Sequence, residues 1–196
     1  YTTGSRTPPS GNEEPSRLLD GLSGTKYLNF AKTHTGFIVT PSTLAALQSF
    51  TLTTANDSAA RDPASYELWG THDEISSTPH GDGDNEDWIP ISSGTLALPT
   101  GRQELHEVAG FSNATAYSSY RMVFPTVRDE AGANSMQLAD VAFYSTMDHS
   151  GPNMLSSSDF IIPIRLVEQV PASDSPAAEG AANAIDGNFN TKYLNL

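Results

Sequence analysis

Apolar and polar residues alternate with a period of two along much of the chain. Phe50 and Leu52 alternate with Thr51 and Thr53, and Tyr66, Leu68 and Gly70 with Glu67 and Trp69. That is the signature of strands with one face buried. Together with its neighbours the pattern predicts short strands over 36–40, 50–54, 66–70, 88–91, 95–98, 104–108, 119–124 and 136–144. Clusters of Gly, Pro and Asn separate them, and only 42–47 reads as a turn of helix. The expected fold is all-β, an antiparallel β-sandwich. Two stretches break the pattern. Residues 71–87 are polar and acidic, too long for a tight hairpin, and read as a solvated surface excursion. Residues 160–167 are apolar, and either pack on the sandwich or join it to a second module.

A short motif occurs twice. Asp20-Gly21-Leu22-Ser23-Gly24-Thr25-Lys26-Tyr27-Leu28-Asn29-Phe30 returns as Asp186-Gly187-Asn188-Phe189-Asn190-Thr191-Lys192-Tyr193-Leu194-Asn195-Leu196, at an ungapped offset of 166 residues, 186 less 20. A repeat at domain-sized spacing implies one complete module and the opening segment of a second. The expected division is a linker over 1–12, a sandwich over 13–147, a linker with an apolar joining strand over 148–170, and the start of a second repeat over 171–196.

Composition narrows the function classes. The 196 residues carry 23 Asp and Glu against 10 Lys and Arg, a formal charge of −13, which repels nucleic acid and anionic membrane surfaces. There is no cysteine, so disulfides and thiolate metal sites are excluded. No apolar run approaches the length of a membrane-spanning helix. The five His are scattered and neither a Gly-x-Ser-x-Gly nor a His-Glu-x-x-His motif occurs, so the chain is expected not to be an enzyme.

Several segments carry a family resemblance. Leu19-Asp20-Gly21 with Thr25-Lys26-Tyr27, and Asn183-Ala184-Ile185-Asp186-Gly187-Asn188 with Thr191-Lys192-Tyr193, resemble the opening motif of discoidin-like, coagulation-factor C-type domains. That group includes family 32 carbohydrate-binding modules. Tyr66-Glu67-Leu68-Trp69-Gly70-Thr71-His72-Asp73, Tyr120-Arg121-Met122 and Gln137-Leu138-Ala139-Asp140-Val141 resemble its later strands, in order. The wording is similar to a variant found in large repetitive bacterial surface or secreted proteins. The resemblance implies a galactose-binding-domain-like jelly roll and an extracellular or cell-surface location. It departs from the family at Tyr27 and Tyr193, where Trp is usual, and at Asp140, where Glu is usual.

The resemblance also implies a calcium site in which Asp20 and Asp140 supply carboxylates, Thr25 a hydroxyl and Arg17 a carbonyl, with Asp186 and Thr191 as the counterparts in the second repeat. The competing reading of Asp20 is an Asp-Gly turn that caps backbone amides. The acidic run at 80–87 lacks the ligand spacing of an EF-hand loop and reads as solvated. For sugar binding the candidates are Trp69, His72 and His80. The leading expectation is a non-catalytic structural module, calcium-stabilised, that assembles head-to-tail with neighbouring copies into a fibre or adhesive structure. The alternative is a carbohydrate-binding module that recognises extracellular glycans.

Overall fold

The computed structural model describes residues 13–166; the linker expected over 1–12, the second repeat over 171–196 and its Asp186 and Thr191 lie outside the described residues. A short 3-10 helix at Pro15–Leu19 leads into ten strands: β1 (Tyr27–Asn29), β2 (Thr35–Thr40), β3 (Ser49–Thr53), β4 (Ser65–Thr71), β5 (Ile89–Thr95), β6 (Leu105–Val108), β7 (Ser119–Phe124), β8 (Met136–Leu138), β9 (Asp140–Tyr144) and β10 (Phe160–Arg165). A second 3-10 turn, Ala59–Arg61, precedes β4. No helical turn forms at 42–47.

The strands form an antiparallel five-stranded sheet, β10-β2-β7-β4-β5, a three-stranded sheet, β6-β3-β9, and a two-stranded ribbon, β1-β8. The alternation explains the layers. Phe37, Val39, Tyr66, Leu68, Tyr120, Met122 and Phe124 of the large sheet share one core with Phe50, Leu52, Val108, Val141 and Phe143 of the small one. Edge-on aromatic pairs knit the two sheets. Phe50 meets Tyr66 at 4.9 Å and Tyr120 meets Phe143 at 5.8 Å between ring centroids; such pairs contribute about 0.5–1.5 kcal/mol each beyond area burial. The opening motif is tied in by Tyr27, which is fully buried and donates its hydroxyl to the Gly36 carbonyl at 3.0 Å. Its phenol is held well above its ordinary pKa by desolvation.

Two expectations are corrected. Within the described residues, 148–166 belongs to the sandwich and not to a linker, and the apolar strand takes the first of its two expected places, packed on the sandwich. β10 pairs with β2 over its whole length, from Phe160 opposite Thr40 to Arg165 opposite Thr35, and Met154 and Leu155 are buried in the main core. The sandwich therefore continues to the sheet's last strand instead of ending at 147, because β2 needs a partner on its open side. The stretch over 71–87 is not a free excursion either. Ile38, Val123, Ile162 and Ile164 form a second apolar cluster, and Ile75, Trp88 and Leu166 pack against it. The polar segment folds back over that face. The His80 amide donates to the Pro163 carbonyl at 2.8 Å and the Arg165 amide to the Gly81 carbonyl at 3.0 Å, so the loop also pairs with the outer edge of β10.

β2 and β7 approach so closely at Gly36 that a methyl group there would run into the Met122 carbonyl. Gly36→Ala is expected to cost about 1–3 kcal/mol by forcing the central pair apart, read as a lower urea midpoint. An unchanged midpoint would mean the pair can relax around the extra carbon.

Candidate functional site

Where β4 ends, its strand geometry sets up a cleft. Gly70 is required here because the ring of Tyr117 occupies the space a side chain would take. Tyr117 in turn lies against the imidazole of His72, with ring centroids 5.1 Å apart. His72, Asp73, Glu74 and Ile75 then line one wall of a cleft of about 450 Å³, opposite Thr40 at the end of β2, Ser118 and Ser119 at the start of β7, and Phe160 at the start of β10. Phe160 is 50% exposed, an unusual state for a large aromatic that begins an apolar strand. Its position is pinned by its neighbour Asp159, whose carboxylate accepts bonds from the Ser42 amide at 3.1 Å and the Ser156 amide at 2.9 Å. Desolvation raises the Asp159 pKa, but these bonds outweigh it and hold the group below the usual carboxylate range.

The wall formed by residues 72–75 depends on the rest of the folded-back loop. Glu86 is buried and accepts the amides of Ser76 and Ser77, both at 2.7 Å, and the Ser77 hydroxyl at 2.7 Å. Asp73 accepts the Asp87 amide at 2.7 Å, which closes the loop's base. Farther along, the buried guanidinium of Arg121 donates to the Gly83 carbonyl at 2.9 Å and bonds Asp84. It lies between Trp69 and Trp88, 5.1 Å and 5.0 Å from their ring centroids, a cation–π arrangement. Trp88 donates to the same Gly83 carbonyl at 2.8 Å.

The three sugar-binding candidates therefore part company. His72 lines the cleft, Trp69 packs on Arg121 over the outer sheet face, and His80 sits on the exposed turn that pairs with β10. The sequence pattern missed Phe160, Asp73 and Glu74. An aromatic at the head of an apolar run gave a signal for Phe160, but only the β10–β2 pairing carries it to the end of β4.

The expected calcium residues gather near the start of β9. The Thr25 hydroxyl donates to Asp20, with Oδ2 at 2.9 Å, and the Leu22 amide donates to Oδ1 at 2.9 Å, so the Asp-Gly turn is formed. The Arg17 guanidinium lies 3.5 Å from Asp20 Oδ2. Asp140 is half-buried and is pushed up to about 6, chiefly by desolvation; the bond from the Val141 amide opposes the rise and the nearby Asp20 charge adds to it. Two neighbouring carboxylates and a hydroxyl are the donor types a hard cation takes. Among the described residues no group of three or more His, Cys, Asp or Glu side chains surrounds one point, so hydroxyls, carbonyls or water would have to complete such a shell.

No protein-family model matches the sequence, and no curated protein matches it. The fold does match solved structures. Among these the CpGH89CBM32-5 module from Clostridium perfringens, in complex with GalNAc-β-1,3-galactose, aligns with a TM-score of 0.52 at 15% identity, covering 70% of this chain and 88% of that one. The family 32 carbohydrate-binding module of Streptococcus pneumoniae EndoD aligns at 0.51 and 10% identity, covering 72% and 92%. The family 32 module of C. perfringens NanJ, in complex with galactose, aligns at 0.50 and 13% identity, covering 70% and 88%. The chain thus has the discoidin-like, galactose-binding-domain-like fold shared by family 32 modules.

The loop's hold can be tested through Glu86. Desolvation raises its pKa, but the bonds from Ser77 and Ser76 together lower it below the ordinary value of 4.5. A depressed carboxylate stabilises the fold above its unfolded pKa and loses that contribution as pH falls through the folded one. The Ser76 and Ser77 amides are expected to lose hydrogen-exchange protection, relative to intrinsic rates, as pH falls below about 4.5. Glu86→Gln should do the same at neutral pH, by about 1–3 kcal/mol. Unchanged protection would show that the loop is held without this carboxylate.

Proposed function

We propose that this chain is a non-catalytic carbohydrate-binding module of an extracellular protein, and that the cleft at the end of β4 is its sugar site. The observation that carries the reading is the half-exposed Phe160 lining one cleft with His72, Asp73 and Glu74, beside Thr40 and Ser119, whose hydroxyls bond each other at 2.8 Å. A pyranose has an apolar face of C–H groups and a rim of hydroxyls, so it needs one aromatic surface and a few convergent polar groups. The sugars held by the structural neighbours favour this reading over a fibre subunit. Among the described residues no helix is long and apolar enough to cross a membrane. The 166-residue repeat of the opening motif supports a chain in which such modules follow one another. Tandem copies would raise overall affinity through effective concentration without any new contact.

A glycan array followed by titration calorimetry tests the assignment. Phe160→Ala is expected to weaken binding of the selected sugar at least tenfold, about 1.4 kcal/mol, while the melting temperature stays near that of the parent. Binding that survives the substitution would place the site elsewhere.

Calcium belongs to the same proposal as a stabiliser. Asp20, Asp140 and Thr25 would hold it, with a carbonyl from Arg17, and the cation would offset the desolvation that chiefly raises the Asp140 pKa and the smaller repulsion from Asp20. Chelation is expected to lower the melting temperature, and Asp20→Ala to remove that sensitivity. Indifference to chelator would leave Asp20 with its turn role alone.

A further inference from the structure

We propose that Tyr117, which does not line the cleft, is a positioning residue for it: its ring holds the His72 imidazole in the orientation that a bound sugar meets. The proposal rests on the reading of the cleft as a sugar site. His72 is exposed, and among the described residues its ring makes no hydrogen bond. Its ring contact is with Tyr117, 5.1 Å between centroids and tilted by 34°. The orientation of the imidazole therefore depends on where the phenol ring stands.

That ring is anchored in the core. Tyr117 is buried and meets Tyr120 edge-on, at 6.2 Å and 84°. Tyr120 is fully buried, meets Phe143 of the small sheet edge-on, and donates its hydroxyl to the Ala45 carbonyl at 2.9 Å. An aromatic relay thus runs from the small sheet, past the start of β7, to the cleft. β4 gives the relay its place. Gly70 leaves the space, since a side-chain carbon there would collide with the Tyr117 ring. The flanking backbone is held in step: the Ser118 amide donates to the Thr71 carbonyl at 3.0 Å, Thr71 stands opposite Ser119, and the Asp73 amide donates to the Thr71 hydroxyl at 3.0 Å.

A neutral imidazole offers one donor and one acceptor on different edges of its ring. Which sugar hydroxyl it can serve is decided by how the ring is turned. A ring free to rotate would have to be ordered on binding, at a cost to affinity. Tyr117 orders it during folding, so the site is preorganised by a residue outside it.

The test follows the intact chain by NMR, with galactose and N-acetylgalactosamine as ligands. In Tyr117→Leu the carbon-bound protons of the His72 ring are expected to lose the ring-current displacement that Tyr117 imposes, before any sugar is added. Affinity for whichever of the two sugars the parent binds should then fall about fivefold. Gly70→Ala, which crowds the same ring from β4, should move the His72 signals and weaken binding in the same direction. Tyr117→Phe keeps the ring and should hold both the His72 signals and the affinity near the parent's. Leu96→Ala truncates the core beside the start of β4, where the Leu96 amide bonds the Ala64 carbonyl. It should lower the melting temperature and leave both readouts unchanged, which separates positioning from loss of stability. Parent-like affinity in Tyr117→Leu, or His72 signals that do not move, would overturn the positioning role and leave the sugar site standing. An equal loss in Tyr117→Phe or Leu96→Ala would also overturn it. If neither sugar shifts 72–75 or Phe160 in the parent, the sugar-site reading falls and the positioning role with it.

Discussion

Both faces of the central strands are dry, and the rest of the molecule is arranged around that requirement. All six residues of β7 and five of the six in β2 are buried. A strand in an ordinary sandwich shows one face to the core and one to water. Here the small sheet covers the first face, and the second has to be covered by something that is not a sheet. The segment after β4 does this despite its polarity, because three of its acidic side chains find internal partners: Ser77 for Glu86, the Asp87 amide for Asp73, Arg121 for Asp84. The few apolar residues it owns, Ile75 and Trp88, are placed on the second cluster.

Arg121 shows how the two layers are coupled. It stands in the register of β7 opposite Ile38 and Trp69, so its side chain emerges on the outer face, where a charge would ordinarily be solvated. Burial of a guanidinium is costly unless it is paired and hydrogen-bonded. Two tryptophan faces, one carbonyl and one carboxylate offset that cost, although Nε is buried without a hydrogen-bond partner, and all except Trp69 come from the covering loop. The charge thus fastens the loop, and the loop in turn supplies the cleft residues at its first turn.

The alternating strands were legible from the chain alone, since hydrophobic periodicity reports the pleat directly. β2, β3, β4, β6 and β7 lie within a residue or two of where the pattern puts them. The 136–144 run splits at Ala139, whose amide turns aside to the Thr53 carbonyl. The 95–98 strand dissolves because pairing with β4 draws β5 earlier, to Ile89–Thr95, leaving Leu96 and Leu98 as buried loop residues. What the chain could not show was anything settled by long-range pairing. An acidic stretch looks solvated until its partners are known, and an apolar strand after a Gly/Pro/Ser stretch looks like a joint until its neighbour is known. The cleft shares that blindness: its residues come from positions 40, 72–75, 118–119 and 160, which no local motif links.

β10 also imposes an order on the molecule. It is the last described strand in the chain, yet it pairs with β2, near the beginning, and it delivers the aromatic wall of the cleft. During synthesis the residues of β2, β4 and β7 leave the ribosome first and can pair among themselves, but the cleft does not exist until Phe160 has emerged and docked beside Thr40. The cleft is therefore a property of the finished fold, and a chain halted or clipped just before this strand would lack its aromatic wall however well the remainder had packed.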